Sequence, residues 1–399
     1  MTGKLLNIEQ AVASFRKLLE QQQQRSAQIK SGSRLPDFAT LPCVRIALAG
    51  GDGIGPVITQ YAQRVLEYLL KDEIAQGKAE LTEITGLTLE NRLAQNCSVP
   101  ETTLRQIKSC HVLLKGPTTT PQAGQGIANL ESANVTLRRE LDLYANVRPV
   151  NVPDKGIDWC FFRENTEGAY VLGSQGVLLE GREAGSELAF DFAVTTRPGV
   201  ERIARSAMNY AKNNGKKRVS IVTKANIIKT GDGNFLQICK EIAGREFPEL
   251  EIDDWYIDIM AANLVNEDLR RKFQVFILPN LYGDILTDEA AEIQGGLGTA
   301  GSANIGDRYA MFEPVHGSAP RLIEEGRLAY VDPRSVLRAC SMMLAHIGRG
   351  DKGNILDRAV TAASTLHPIT GFENGAKTED FIAELMKGIT RAFGSAQAP

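Results

Sequence analysis

What this sequence of 399 residues lacks narrows it before any motif is considered. No apolar run approaches the ~20 residues that cross a bilayer, so no membrane partner is expected. The opening, MTGKLLNIEQ, lacks the charged start, apolar centre and cleavage site of a signal peptide, so a cytoplasmic location is expected. The six cysteines (Cys43, Cys97, Cys110, Cys160, Cys239 and Cys340) are scattered and form no CxxC. The four histidines (His111, His316, His346 and His367) do not cluster with them, so neither a zinc site nor a disulfide framework is indicated, and a reducing compartment fits. A net charge of −3 and a pI near 6.0 give no basic field for nucleic acid.

What is present describes a globular protein large enough for two domains. Hydrophobic residues make up 43% and charged residues 23%, and 37 glycines imply many tight turns and close backbone approaches. Residues 1–42 stand apart as an extension. Ile8, Val12, Phe15, Leu18 and Leu19 recur at helical spacing before a glutamine run, and SGSRLPDF reads as a linker. Such a helix packs on the body or on a neighbouring subunit. CVRIALAGGDGIGP then reads as a buried strand, a glycine turn and a helix start with Pro56 in its first turn. Strands and helices alternate through HVLLKGP, ANVTLRRELDLYANVRPV, DWCFFREN, RVSIVTKANI, EIDDWYIDIM and FQVFILPN, so the expected class is α/β with a mixed or parallel sheet. Residues 171–195 alternate apolar positions among glycines and predict a projecting hairpin.

Several stretches carry chemistry. In NLYGDILTDEA, Asp284 and Asp288 are four residues apart, which on a helix puts both carboxylates on one face. A hard divalent cation between them would relieve their repulsion, and so would the solvent at an acidic helix start. ESANVTLRRELDLYANVRP offers Ser132 and Asn134 at a helix start, with Arg138 and Arg148 able to fork around carboxylates; capping and surface ion pairs are the plain alternative. RENTEGAY places Tyr170 seven residues after Arg163, a tyrosine near cations that can pass protons. Lys224 follows a β-rich run, either snorkelling or held as a base. Asp258 sits in an apolar context, where an unpaired carboxylate is costly, so it needs a partner. In EPVHGSAP, small residues let a flat or phosphate-bearing ligand approach the backbone.

The order of these motifs over residues 47–320 resembles the β-decarboxylating dehydrogenase family, the isocitrate and 3-isopropylmalate dehydrogenases; NLYGDILTDEA, EPVHGSAP and RENTEG carry the resemblance. It implies an α/β fold that is not a Rossmann fold. The large domain would be 43–143 plus 295–399, and the small domain 144–294 with a clasp arm near 168–197. It also implies a homodimer with an active site shared between subunits. The implied reaction oxidises a 2-hydroxy acid by hydride transfer to NAD(P)⁺ and then removes its β-carboxylate as CO₂. By resemblance, Asp258, Asp284 and Asp288 hold Mg²⁺ or Mn²⁺. Lys224 is the base and Tyr170 the acid. Ser132, Asn134, Arg138, Arg148 and Arg163 bind the substrate. Lys115, Thr119, Glu313, His316, Gly317, Ser318, Ala319, Arg321 and Asp332 line the cofactor site. Ser132 and Asn134 suit a third carboxylate better than an isopropyl group, so isocitrate is favoured over 3-isopropylmalate, homoisocitrate or tartrate. A non-catalytic regulatory subunit is the alternative from another class, but Tyr170, Lys224 and the three aspartates are all present. Arg321, where NAD-dependent members usually carry aspartate, leans towards NADP over NAD.

Overall fold

The computed structural model describes residues 5–29, 36–121, 130–172, 175–182 and 187–395. The expected linker at SGSRL and parts of the arm and of the loop after Thr119 lie outside them. The chain divides into two compact units. A middle unit takes Met1–Arg34 and Asp142–Ala290, and a terminal unit takes Leu35–Leu141 and Ala291–Pro399.

In the terminal unit, strands β1 (Val44–Ala49), β2 (Ala79–Glu83) and β3 (Val112–Lys115) are joined by β11 (Gly301–Ile305) and β12 (Ala310–Pro314). Their order is β2-β1-β3-β12-β11, parallel except for the β11–β12 pair. β3 is buried along its whole length, as expected of a strand covered on both faces by helices. The glycine turn after β1 works by close approach. Gly51 and Gly53 hold φ of +73° and +61°, and a Cβ at Gly53 would lie 2.0 Å from the Ser318 carbonyl oxygen. This turn therefore clamps the backbone of the HGSAP segment.

In the middle unit, β4 (Ala145–Val152), β5 (Ile157–Glu164), β8 (Arg218–Thr223), β9 (Glu251–Tyr256) and β10 (Val275–Leu278) run in the order β4-β5-β10-β8-β9. Only β4 and β5 are antiparallel to one another. Phe161 stacks on Phe276 at 4.3 Å with Trp159 edge-on to both, filling the core behind the strand ends. A separate antiparallel ribbon, β6 (Val177–Glu180) with β7 (Glu187–Phe190), forms the expected hairpin.

The N-terminal helix Ile8–Ile29 packs on its own middle unit. Leu18 is buried, Phe15 stacks on Phe192 at 5.0 Å, and Leu6 bridges Leu179 of β6. EIDDWYIDIM is not one element, because β9 ends at Tyr256 and a helix runs from Ile257 to Val265. Tyr170 stands on a short helical turn, Ala169–Leu172, that follows β5.

Candidate active site

The most concentrated chemistry in the middle unit sits where β4 and β5 face the helix Asn280–Gln294. Pro279 ends the apolar run of β10, and the helix begins at once, so Asp284 and Asp288 share a face one turn apart. The positive charge between them comes from two arginines of neighbouring strands. Arg148 of β4 donates to Asp288 Oδ1 at 2.8 Å and to Thr287 Oγ1 at 2.6 Å. Arg163 of β5, 1% exposed, donates to Asp284 and, through Nε and Nη2, to Asn280 Oδ1 at 3.0 and 2.7 Å. The Tyr170 hydroxyl donates to Asp284 Oδ2 at 2.5 Å, and the Arg163 guanidinium lies 5.1 Å from the Tyr170 ring centre. Five residues expected from sequence thus meet in one cluster: Arg148, Arg163, Tyr170, Asp284 and Asp288. The Asp284 and Asp288 side chains are 34% and 52% exposed, so both acids reach the surface while bonded to the arginines and Tyr170.

Lys224, just past β8, pairs with Asp258 at 2.6 Å. The Asp258 carboxyl is held below the usual carboxylate range by that hydrogen bond and charge. Lys224 is thus the partner that the sequence called for at Asp258, whose side chain is 62% exposed. The apolar sequence around it belongs to a helix whose Ile259 and Val265 are themselves exposed. Among the described residues, no three His, Cys, Asp or Glu side chains come together as a metal set. Asp232, which the sequence did not flag, fixes the Lys224 backbone by accepting its N–H at 2.6 Å. Burial raises the Asp232 carboxyl, opposed by hydrogen bonds from the Lys224 backbone and from Tyr282.

The same unit buries Glu164 and Glu167 in the turn between Arg163 and Tyr170. Burial, and then the charge of Glu167, push Glu164 up to about 7, although Thr166 donates to it twice.

In the terminal unit, Lys115 ends β3 with 0% exposure and pairs with Glu313 at 3.4 Å. Arg138 reaches the other oxygen of Glu313 at 3.3 Å, and Asn304 donates to it at 2.9 Å. Burial alone would raise the Glu313 carboxyl, but Lys115 and Arg138 outweigh it and hold the group at about 2. Burial pushes the Lys115 ammonium down, partly offset by Glu313. The oxygens of Glu313 are therefore engaged by protein groups, an arrangement that sequence spacing did not suggest. Thr119 is held by Asp52, which accepts its N–H at 2.7 Å and pairs with the fully buried Arg92 at 3.0 Å. The Thr119 hydroxyl meets Ser318 Oγ at 2.9 Å. Ser132 caps the helix Ala133–Glu140 without spending its hydroxyl on that helix, and Asn134 Oδ1 accepts from Thr118 at 3.1 Å.

His316 Nδ1 meets the Gly317 carbonyl at 2.9 Å, which makes Nδ1 a donor, and the buried Nε2 has no partner among the described residues. Nothing lies within 4 Å of a Cβ built on Gly317, and Ala319 takes a left-handed φ of 44° at the start of the next helix. Arg321 is exposed and has no ion-pair partner among the described residues, whereas Asp332 is taken by Arg334 at 2.6 Å.

Comparison with known proteins agrees with the motif order. The isocitrate/isopropylmalate dehydrogenase profile matches residues 45–396. A homoisocitrate dehydrogenase of Methanocaldococcus jannaschii is 36% identical over 366 residues, 87% of this chain and 98% of that protein. An NADP isocitrate dehydrogenase of Rickettsia bellii is 37% identical over 79% of this chain and 62% of its own, longer, sequence. The crystal structure of isocitrate dehydrogenase from Methylococcus capsulatus superposes with a TM-score of 0.74 at 34% identity, covering 87% of this chain and 99% of that one. The α/β architecture is accordingly the isocitrate/isopropylmalate dehydrogenase fold. The chain belongs to the isocitrate/isopropylmalate dehydrogenase family, the β-decarboxylating dehydrogenases.

Proposed function

We propose that this protein catalyses the oxidative decarboxylation of isocitrate to 2-oxoglutarate and CO₂, with a divalent cation and NADP. The observation that carries the choice of substrate is the polar start of the helix Ala133–Glu140. There the Ser132 hydroxyl is not used as a cap, and the Asn134 amide keeps its N–H donors while its oxygen is held by Thr118. Such groups suit a carboxylate and would be left without partners against an alkyl group.

The residues fit both absent groups. Asp284 and Asp288 present hard oxygen donors on one part-exposed helix face, the donor type that Mg²⁺ or Mn²⁺ prefers. His316 Nε2, buried and with no partner among the described residues, suits an amino group such as that of adenine when it carries no proton. When bound, the cation supplies positive charge where the substrate oxygens become negative, and the dinucleotide takes the hydride. Within the middle unit, Arg148 and Arg163 suit substrate carboxylates through forked hydrogen bonds. Tyr170 delivers the proton to the carbon left by CO₂, and its hydroxyl is aimed by Asp284. The exposed Lys224–Asp258 pair of a second copy completes the site, with Lys224 taking the hydroxyl proton. Exposed Ile259, Val265, Leu281 and Ile285 on the two helices that carry these acids suit burial against that copy. Exposed Arg321 is free to pair with a 2′-phosphate, which favours NADP.

The assay is absorbance of the reduced cofactor with isocitrate, homoisocitrate and 3-isopropylmalate, each with NAD⁺ and NADP⁺, with and without chelator. Chelator-sensitive turnover highest with isocitrate and NADP⁺ is expected. Preference for homoisocitrate, the substrate in the name of the Methanocaldococcus relative, would overturn the choice of substrate.

A further inference from the structure

The N-terminal helix Ile8–Ile29 precedes the part of the chain that matches the family, which begins at residue 45. Its Arg25 reaches the turn that separates Arg163 from Tyr170. Nη1 of Arg25 pairs with Glu167 Oε1 at 3.0 Å, and Nη2 donates to Thr166 Oγ1 at 3.0 Å. Glu167 is buried, and its carboxylate also accepts from the N–H and hydroxyl of Thr196 at the start of the helix Arg197–Asn213. The fit is close enough that a Cβ on Gly199 would lie 2.3 Å from Glu167 Oε1. The second buried acid, Glu164, accepts the N–H groups of both Thr166 and Glu167. Arg202, the other guanidinium on this turn, bonds Asp142 with both arms and Thr166 with one.

From Glu167 the bonding continues into the catalytic cluster. Asn280 Nδ2 donates to the Glu167 carbonyl at 3.0 Å, while Asn280 Oδ1 receives both Nε and Nη2 of Arg163. Tyr170 follows three residues after Glu167 and shares Asp284 with Arg163.

We propose that Arg25 is a positioning residue for Arg163 and Tyr170, so that the N-terminal helix forms part of the catalytic unit. The inference rests on the assignment of that cluster as the active site. Arg25 holds the Glu167 carboxylate, which keeps the 164–168 turn seated on the helix Arg197–Asn213. The seated turn aims the Glu167 carbonyl at Asn280 and sets Tyr170 against Asp284. Without Arg25, the buried Glu167 carboxylate loses its ion pair and is left with Thr196 alone among the described residues, so the turn loosens.

The test compares the full-length protein with Arg25→Gln and Arg25→Lys by steady-state kinetics and by amide hydrogen exchange over residues 164–172. Arg25→Gln is expected to lower kcat by roughly tenfold or more with a smaller change in KM, since a shifted acid costs turnover more than binding. Arg25→Lys, which keeps the charge but not the second hydrogen bond, is expected to recover part of the loss and serves alone if Arg25→Gln does not fold. Exchange is expected to rise at Thr166, Glu167 and Gly168 ahead of the rest of the unit. An active wild type with unchanged kcat in both variants would overturn the proposal, even if the melting temperature fell. A wild type silent on every substrate would remove the functional reading instead. Exchange would then decide the positioning role, and unchanged exchange at 166–168 would overturn it.

Discussion

Replacing Glu313 with Gln removes the acid that Lys115 and Arg138 share, and the size of the effect follows from its surroundings. The carboxyl sits at about 2 against an ordinary 4.5, although burial opposes its charge. A depression of that size on a fully buried group is worth about 3 kcal/mol of folded-state stability at neutral pH. That agrees with the ~3–5 kcal/mol lost when one partner of a buried ion pair is removed. The sign follows from linkage. The folded value lies below the unfolded one, so the contribution is complete above about 4.5 and is lost as the pH falls through about 2. Fluorescence is the wrong probe, because both tryptophans, Trp159 and Trp255, belong to the middle unit. Amide exchange in β3 and β12 reads the terminal unit directly. Protection there is expected to fall on the order of a hundredfold in Glu313→Gln at pH 7. The gap between the two proteins is expected to shrink to a small remainder by pH 2, where the wild-type acid is half protonated. Equal protection at pH 7, or a gap undiminished at pH 2, would refute the reasoning.

Tyr170→Phe removes the hydroxyl and keeps the ring beside Arg163; turnover is expected to fall by about a hundredfold or more with melting unchanged, and unaltered kcat would take Tyr170 out of the chemistry. Asp288→Asn leaves Arg148 its bond to Thr287, so the fold should hold while Mn²⁺ affinity, titrated by electron paramagnetic resonance, drops by about tenfold or more. Unchanged affinity would exclude Asp288 as a ligand. Arg321→Glu places an acid beside the proposed 2′-phosphate position, and the NADP-to-NAD ratio of kcat/KM is expected to fall by at least about tenfold, while an unmoved ratio would exclude Arg321 from cofactor choice.

The legible parts of this molecule were those that local periodicity controls. The four-residue spacing of Asp284 and Asp288 placed them on one helix face, and the apolar strands before Lys115 and Lys224 were visible as runs. What those acids touch was not legible, because Arg163 lies 121 residues from Asp284 and Arg148 lies 140 from Asp288. Asp52 gave no signal beyond a glycine turn, yet it fixes Thr119 from 67 residues away. Asp258 was legible as an acid in need of a partner, but that the partner is Lys224, 34 residues earlier, was not.

The two units are interleaved along the chain, and this has a consequence for synthesis. The ribosome makes β1, β2 and β3 first, but β12, the neighbour of β3, follows only after the whole of Asp142–Ala290. At ~5–20 residues per second, the roughly 190 residues between the end of β3 and the start of β12 take on the order of ten to forty seconds. During that interval the apolar edge of β3 has no native partner, while the later-made middle unit can already close. The nascent chain is therefore most exposed to misassociation, and to chaperone capture, at a strand completed long before its partner exists.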